Sequence, residues 1–151
     1  EGDDTRDDEG PEGHEDLHMV VPARSASLRG VRAATRRWLA AAGATDEDII
    51  DLAVAIGECC TNVIEHAYGP ASGDIDLRLA LEPEHGVTVT VRDTGTWRSP
   101  RGHNRGRGYT LIRGMCDDVQ VSSGEAGTEV VLRRHLGPGP EGSGTGGASA
   151  G

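Results

Sequence analysis

Three residues in one short stretch have the types and the spacing to act together. Glu58, Asn62 and His66 lie in Glu-Cys-Cys-Thr-Asn-Val-Ile-Glu-His-Ala-Tyr, residues 58–68, each four positions from the next. At about 100° per residue, a step of four turns a helix by only about 40°, so the three form one polar stripe. A carboxylate and a carboxamide one turn apart suit a base beside an oxygen-bound cation. Magnesium is such a cation, often shared between few protein groups and phosphate. The apolar residues Ile49, Ala53, Ile56, Cys60, Val63, Ile64 and Ala67 gather toward the other face. A solvated helix face would have the same pattern.

Two further segments carry chemistry. Val-Arg-Asp-Thr-Gly-Thr-Trp, residues 91–97, follows the alternation Val87, Val89, Val91, which puts Asp93 at a strand end. Gly95 then lets the backbone turn or approach a ligand closely. An ordinary turn uses the same residues. In Gly106-Arg107-Gly108-Tyr109-Thr110-Leu111-Ile112, a glycine pair runs into a helical pattern. Backbone amides freed of side-chain bulk at a helix start can hold an anion.

In this order the three segments resemble the nucleotide-binding boxes of the GHKL ATPase superfamily. They are most similar to those of bacterial anti-sigma-factor serine/threonine kinases, over roughly residues 18–135. The matching elements are Glu-x-x-x-Asn-x-x-x-His-Ala-Tyr, Asp-x-Gly, and Arg-Gly-x-Gly before a helix. The resemblance implies ATP and Mg2+ as cofactors. It implies that Asp93 accepts from the adenine amine, that Gly95 lets the base approach, and that Thr128 supports this contact. Asn62 would hold magnesium, and Glu58 would be the general base toward a serine or threonine hydroxyl. Gly106 and Gly108 would leave loop amides free for phosphate. Arg105 would sit near the terminal phosphate, in a loop where Arg98, Arg101 and Arg107 could instead dock an acidic partner. His66 takes the motif's histidine position without a catalytic role.

The implied function is an ATP-dependent protein serine/threonine kinase, which phosphorylates a small antagonist protein and sequesters a sigma factor in transcription regulation. A non-catalytic, nucleotide-dependent binding module is the alternative. Homodimerisation is an expectation of the family. A dinucleotide fold is excluded, because no Gly-x-Gly-x-x-Gly opens the first βα unit. A P-loop is excluded too, since all fifteen basic residues are arginine and there is no P-loop lysine.

Composition narrows the classes further. The first 16 residues hold nine acids and one arginine, a net of −8 within a chain total of −10. The remaining body is close to neutral and lacks the basic footprint of a nucleic-acid binder. Residues 1–16 read as a disordered acidic linker, in keeping with a chain that opens on Glu as a piece of a longer protein. Residues 17–136 form the ATP-binding domain, and 137–151 a flexible Gly/Pro-rich tail. No apolar run approaches the roughly 20 residues that span a bilayer. Cys59, Cys60 and Cys116 lack C-x-x-C spacing and read as reduced core thiols, which fits the cytoplasm.

The elements that must position these residues follow from periodicity. A strand covers His18–Pro22, and a helix capped by Ser25 or Ser27 runs to about Ala42, closed by Gly43. Thr45 or Asp46 caps a second helix, which carries the polar stripe to Gly69-Pro70. Strands are expected over 73–82 and 86–93, a short helix over 108–115, and a hairpin of strands over 117–123 and 127–135. Helices segregated from a mainly antiparallel mixed sheet give an α+β two-layer sandwich, helices on one face. The GHKL resemblance implies the same fold.

Overall fold

The computed structural model describes residues 14–67, 73–95, 110–124 and 127–137. Its elements are β1 (Leu17–Pro22), α1 (Leu28–Ala41), α2 (Asp46–Asn62), β2 (Asp74–Glu82), β3 (Gly86–Asp93), α3 (residues 110–115), β4 (Asp118–Gly124) and β5 (Gly127–His135). The strands form one sheet in the order β1-β2-β3-β5-β4. Every pairing is antiparallel. The fold is the expected α+β sandwich, with no parallel pair among the described strands.

Alternation along the strands builds the two faces. Ile75, Leu77, Leu79 and Leu81 of β2, Val87, Val89 and Val91 of β3, and Val130 and Leu132 of β5 are buried. Each is separated from the next by one outward residue, as a period of two requires. They join Val31, Trp38 and Leu39 of α1 and Leu52, Ala55, Ile56, Cys59 and Cys60 of α2 in one core. Without phenylalanine, this core is built mostly from aliphatic side chains. The outward face carries cross-strand pairs such as Arg133 with Asp118 at 3.4 Å and Arg92 with Glu129 at 3.6 Å. Exposed pairs of this kind contribute about 1 kcal/mol or less.

α2 starts at a complete capping box. The Thr45 hydroxyl accepts from the Asp48 N–H at 3.0 Å, and the Asp48 carboxylate accepts from the Thr45 N–H at 3.0 Å. Two amides that a helix start leaves orphaned are thereby satisfied. α1 starts differently from the expectation. No serine side chain caps it, and the Ser27 hydroxyl instead donates to the Pro22 carbonyl at 2.7 Å. Gly43 closes α1 with φ +90°, a left-handed conformation that glycine adopts without strain. Beyond Asn62 the chain widens into a π-helical turn, Val63–Ala67. Such turns recur at functional sites.

The acidic segment meets the body earlier than its charge pattern predicts. The Trp38 indole donates to the Glu15 carbonyl at 2.7 Å, and the His14 ring lies 4.7 Å from the Trp38 ring. Residues 14 and 15 therefore pack with the domain. At the other end, the Gly137 N–H donates to Asp48 at 2.8 Å. The three cysteines are free. Burial pushes the Cys59 thiol well up, Cys60 to about 12 and Cys116 to about 11. No helix among the described residues is long and apolar enough to cross a membrane.

Candidate nucleotide site

Asp93 is the last residue of β3 and continues the inward series Val87, Val89, Val91. Alternation therefore turns its carboxylate toward the helix layer, where it is 5% exposed. Thr128 is its partner in the β3–β5 register and is also 5% exposed. One Asp93 carboxylate oxygen accepts from the Gly95 N–H at 3.0 Å, which holds the side chain against the turn that follows. The Thr128 hydroxyl lies 3.2 Å from the Ser123 hydroxyl across the β4–β5 hairpin. Together they form a fixed polar pair at one end of the sheet.

Gly127 makes this arrangement possible, and the sequence reading did not single it out as a site residue. Its φ is +123°, and an added Cβ would run into the Asp93 carbonyl oxygen. The Thr94 Cα would lie 2.7 Å from the same Cβ. Only glycine lets β5 start so close beneath the β3 end. The available signal was the Gly-Thr pair opening the last strand.

The stripe residues on α2 differ from one another in environment. Glu58 is half-buried and Asn62 is 6% exposed, so this part of the stripe is not a solvated face. The Asn62 side-chain nitrogen is buried without a hydrogen-bond partner. Which amide atom is oxygen and which is nitrogen is assigned from the surrounding bonds, and here no bond fixes that choice. A buried amide with an unmet atom costs about 1–3 kcal/mol in desolvation. The Thr35 hydroxyl of α1 is buried and unpartnered as well, so the unmet amide is compatible with a ligand at Asn62 without identifying one. The buried polar side chains among the described residues are Thr35, Asp48, Asn62, Asp93 and Thr128. Three of these five are residues singled out for nucleotide contact. Arg134 and Thr45 account for Asp48.

Nothing among the described residues forms a cation cage of three or more His, Cys, Asp or Glu side chains. A single amide oxygen from Asn62 suits magnesium, which keeps several waters and binds through few protein groups plus phosphate. Asp93, an acceptor-only carboxylate, suits an amine donor. Arg105, Gly106 and Gly108 lie outside the described residues, as do Trp97 and the His66 side chain. A cleft of about 580 Å³ touches Asp93, Thr94 and Thr128. It is lined largely by Asp74, Asp76, Arg92 and Glu129, which point away from the helices, so it lies outside the layer that holds α2.

The sequence pattern of the histidine kinase-like ATPase domain matches residues 21–134. The anti-sigma F factor of Bacillus subtilis (strain 168) is 26% identical over 136 residues, spanning 80% of this chain and 92% of that protein. The serine-protein kinase RsbW of Bacillus cereus (strain AH820) is 28% identical over 139 residues, spanning 81% and 86%. The crystal structure of the RsbU and RsbW domains of a Mycobacterium tuberculosis protein superposes with a TM-score of 0.68 at 29% identity. That match covers 80% of this chain and 32% of the larger one.

Proposed function

The chain belongs to the histidine kinase-like ATPase domain family, and from that premise we propose that it transfers phosphate from ATP to a serine or threonine of a small antagonist protein. The activity is that of a protein serine/threonine kinase of the anti-sigma type, as its relatives are named. The observation that carries this reading is the burial of Asn62, Asp93 and Thr128, with Glu58 one turn before Asn62.

Bound ATP would supply the transferable phosphoryl group, and a magnesium ion would neutralise charge on it. Asp93 would accept a hydrogen bond from the adenine amine, its carboxylate already held by the Gly95 amide. Gly95 leaves the base room at the strand end, and Thr128 supports the contact from β5. Asn62 offers its amide oxygen to magnesium. Glu58 takes the proton from the attacking hydroxyl. Arg105 would hold charge at the terminal phosphate, and the Gly106 and Gly108 amides would be free to bind the remaining phosphate oxygens. A nucleotide-dependent binding module would need Asn62 but not Glu58. The partners are the antagonist and a sigma factor, met in the cytoplasm, with a second copy of the chain as a dimer partner.

Single-turnover transfer from labelled ATP to a cognate antagonist tests the reading. Wild type transfers phosphate, and Glu58→Gln binds magnesium-ATP but transfers on the order of 100-fold more slowly. That is the low end for a general base, because phosphoryl transfer has a loose transition state. Equal rates would remove Glu58 from the mechanism, and no transfer by wild type to any antagonist would leave a binding module.

A further inference from the structure

Arg134 lies far from the proposed nucleotide contacts, yet it joins the elements that carry them. It sits on β5, six residues beyond Thr128, and its side chain is 15% exposed. Its Nε and Nη2 donate to one Asp48 oxygen at 3.1 and 3.0 Å. Its Nη1 donates to Asp51 at 3.0 Å and to the Met115 carbonyl at 2.7 Å. Met115 is the last residue of α3, so that bond caps a helix end whose carbonyls have no partner within the helix. One guanidinium thereby ties β5, α2 and α3 together. Lysine cannot do the same, since it lacks the planar fork and offers a point charge.

Asp51 connects this junction to the stripe. Seven residues separate Asp51 from Glu58 and eleven separate it from Asn62. At 3.6 residues per turn these offsets return to within about 20° of the same direction, so Asp51, Glu58 and Asn62 share one face of α2. In the sequence, Gly106 and Gly108 come just before α3. We propose that Arg134 is a positioning residue for phosphoryl transfer: through Asp51 and the Met115 carbonyl it fixes α3, the helix that Gly106 and Gly108 precede in the sequence, against the face of α2 that carries Glu58 and Asn62. This rests on the kinase reading above. A misplacement of about 1 Å between groups that must meet can lower a rate by about 100-fold, so a distant tie can matter to chemistry.

The test compares Arg134→Lys, Asp51→Asn and their double variant with Leu79→Ala, a core change on β2 that touches neither the site nor the junction. All are measured in the full chain, at a temperature where each is folded. Arg134→Lys is expected to slow single-turnover transfer at saturating magnesium-ATP by about tenfold, and to change the magnesium-ATP dissociation constant less than threefold. Amide hydrogen exchange over residues 110–115 should quicken about tenfold. Asp51→Asn should do likewise, and the double variant should be no worse than the stronger single, because both cut one link. Leu79→Ala should leave the transfer rate and exchange in α3 unchanged. A loss in Arg134→Lys no greater than in Leu79→Ala, or exchange over 110–115 unchanged from wild type, overturns the proposal. If wild type transfers no phosphate, the kinase reading fails, and the exchange measurement still decides whether Arg134 fixes α3.

Discussion

The two ends of α2 treat buried polar groups in opposite ways. At the N-terminal end, Asp48 accepts from the Thr45 and Gly137 amides and from Arg134, and Asp51 accepts from the same arginine. At the C-terminal end, Asn62 is equally removed from water, and its side-chain nitrogen has no partner. Protein interiors normally satisfy every such group. A helix that meets the rule at one end and departs from it at the other has one closed end and one end where a polar group is left unmet. Burial alone would not have distinguished them.

The largest effect should come from breaking the satisfied end. Arg134→Met removes the partner of two carboxylates and leaves Asp48 charged and buried. Removing one member of a buried pair typically costs about 3–5 kcal/mol. Urea unfolding should register a loss in that range, and a change under 1 kcal/mol would mean that Asp48 rehydrates freely.

Asn62→Ala tests the opposite end. It deletes a group that is already unsatisfied, so stability should change by only about 1 kcal/mol. Magnesium-dependent ATP binding should nevertheless weaken at least about tenfold, or about 1.4 kcal/mol. Calorimetry with and without magnesium reads this directly. Unchanged affinity together with a large stability loss would reverse the comparison and make Asn62 structural.

The smallest effect is a dependence on pH. Burial alone would raise the Asp48 carboxyl, but the Gly137 and Thr45 amides and Arg134 outweigh it, so its pKa lies below the usual 3.8. A folded-state pKa below the unfolded one means that the unfolded chain binds protons more readily as pH falls. The contribution is complete above the unfolded value and is lost as pH drops through the folded one. Urea midpoints between pH 6 and pH 2.5 should fall less steeply in Asp48→Asn than in wild type. Identical slopes would assign the acid sensitivity to other carboxylates.

Much of the frame was legible in the sequence because its causes are local. Alternating Val87, Val89 and Val91 fixed β3 and its face, and Thr45 with Asp48 three residues on fixed the start of α2. The junction at Arg134 was not legible. It joins residues 83 and 86 positions apart, and neither arginine nor aspartate carries a pattern that announces its partner. The burial of Asn62 was missed for a related reason: helical periodicity gives a direction around the axis but not what covers that direction. The Gly-Thr pair marked the position of Gly127 but not its role, which depends on where the Asp93 carbonyl comes to rest. The reach of His14 and Glu15 into the body was hidden by the acidic run around them, since the contacts run through a backbone carbonyl and a ring.

The thiols of α2 have a practical consequence. Cys59 and Cys60 are sealed between α2 and the sheet, and burial keeps them protonated at neutral pH. A thiol reagent reacts with the thiolate and needs access to it. In the closed molecule neither condition is met, so alkylation of these two positions counts the moments when α2 lifts from the sheet. The helix that carries Glu58 and Asn62 thus comes with its own stopwatch, readable by mass spectrometry without any engineered label.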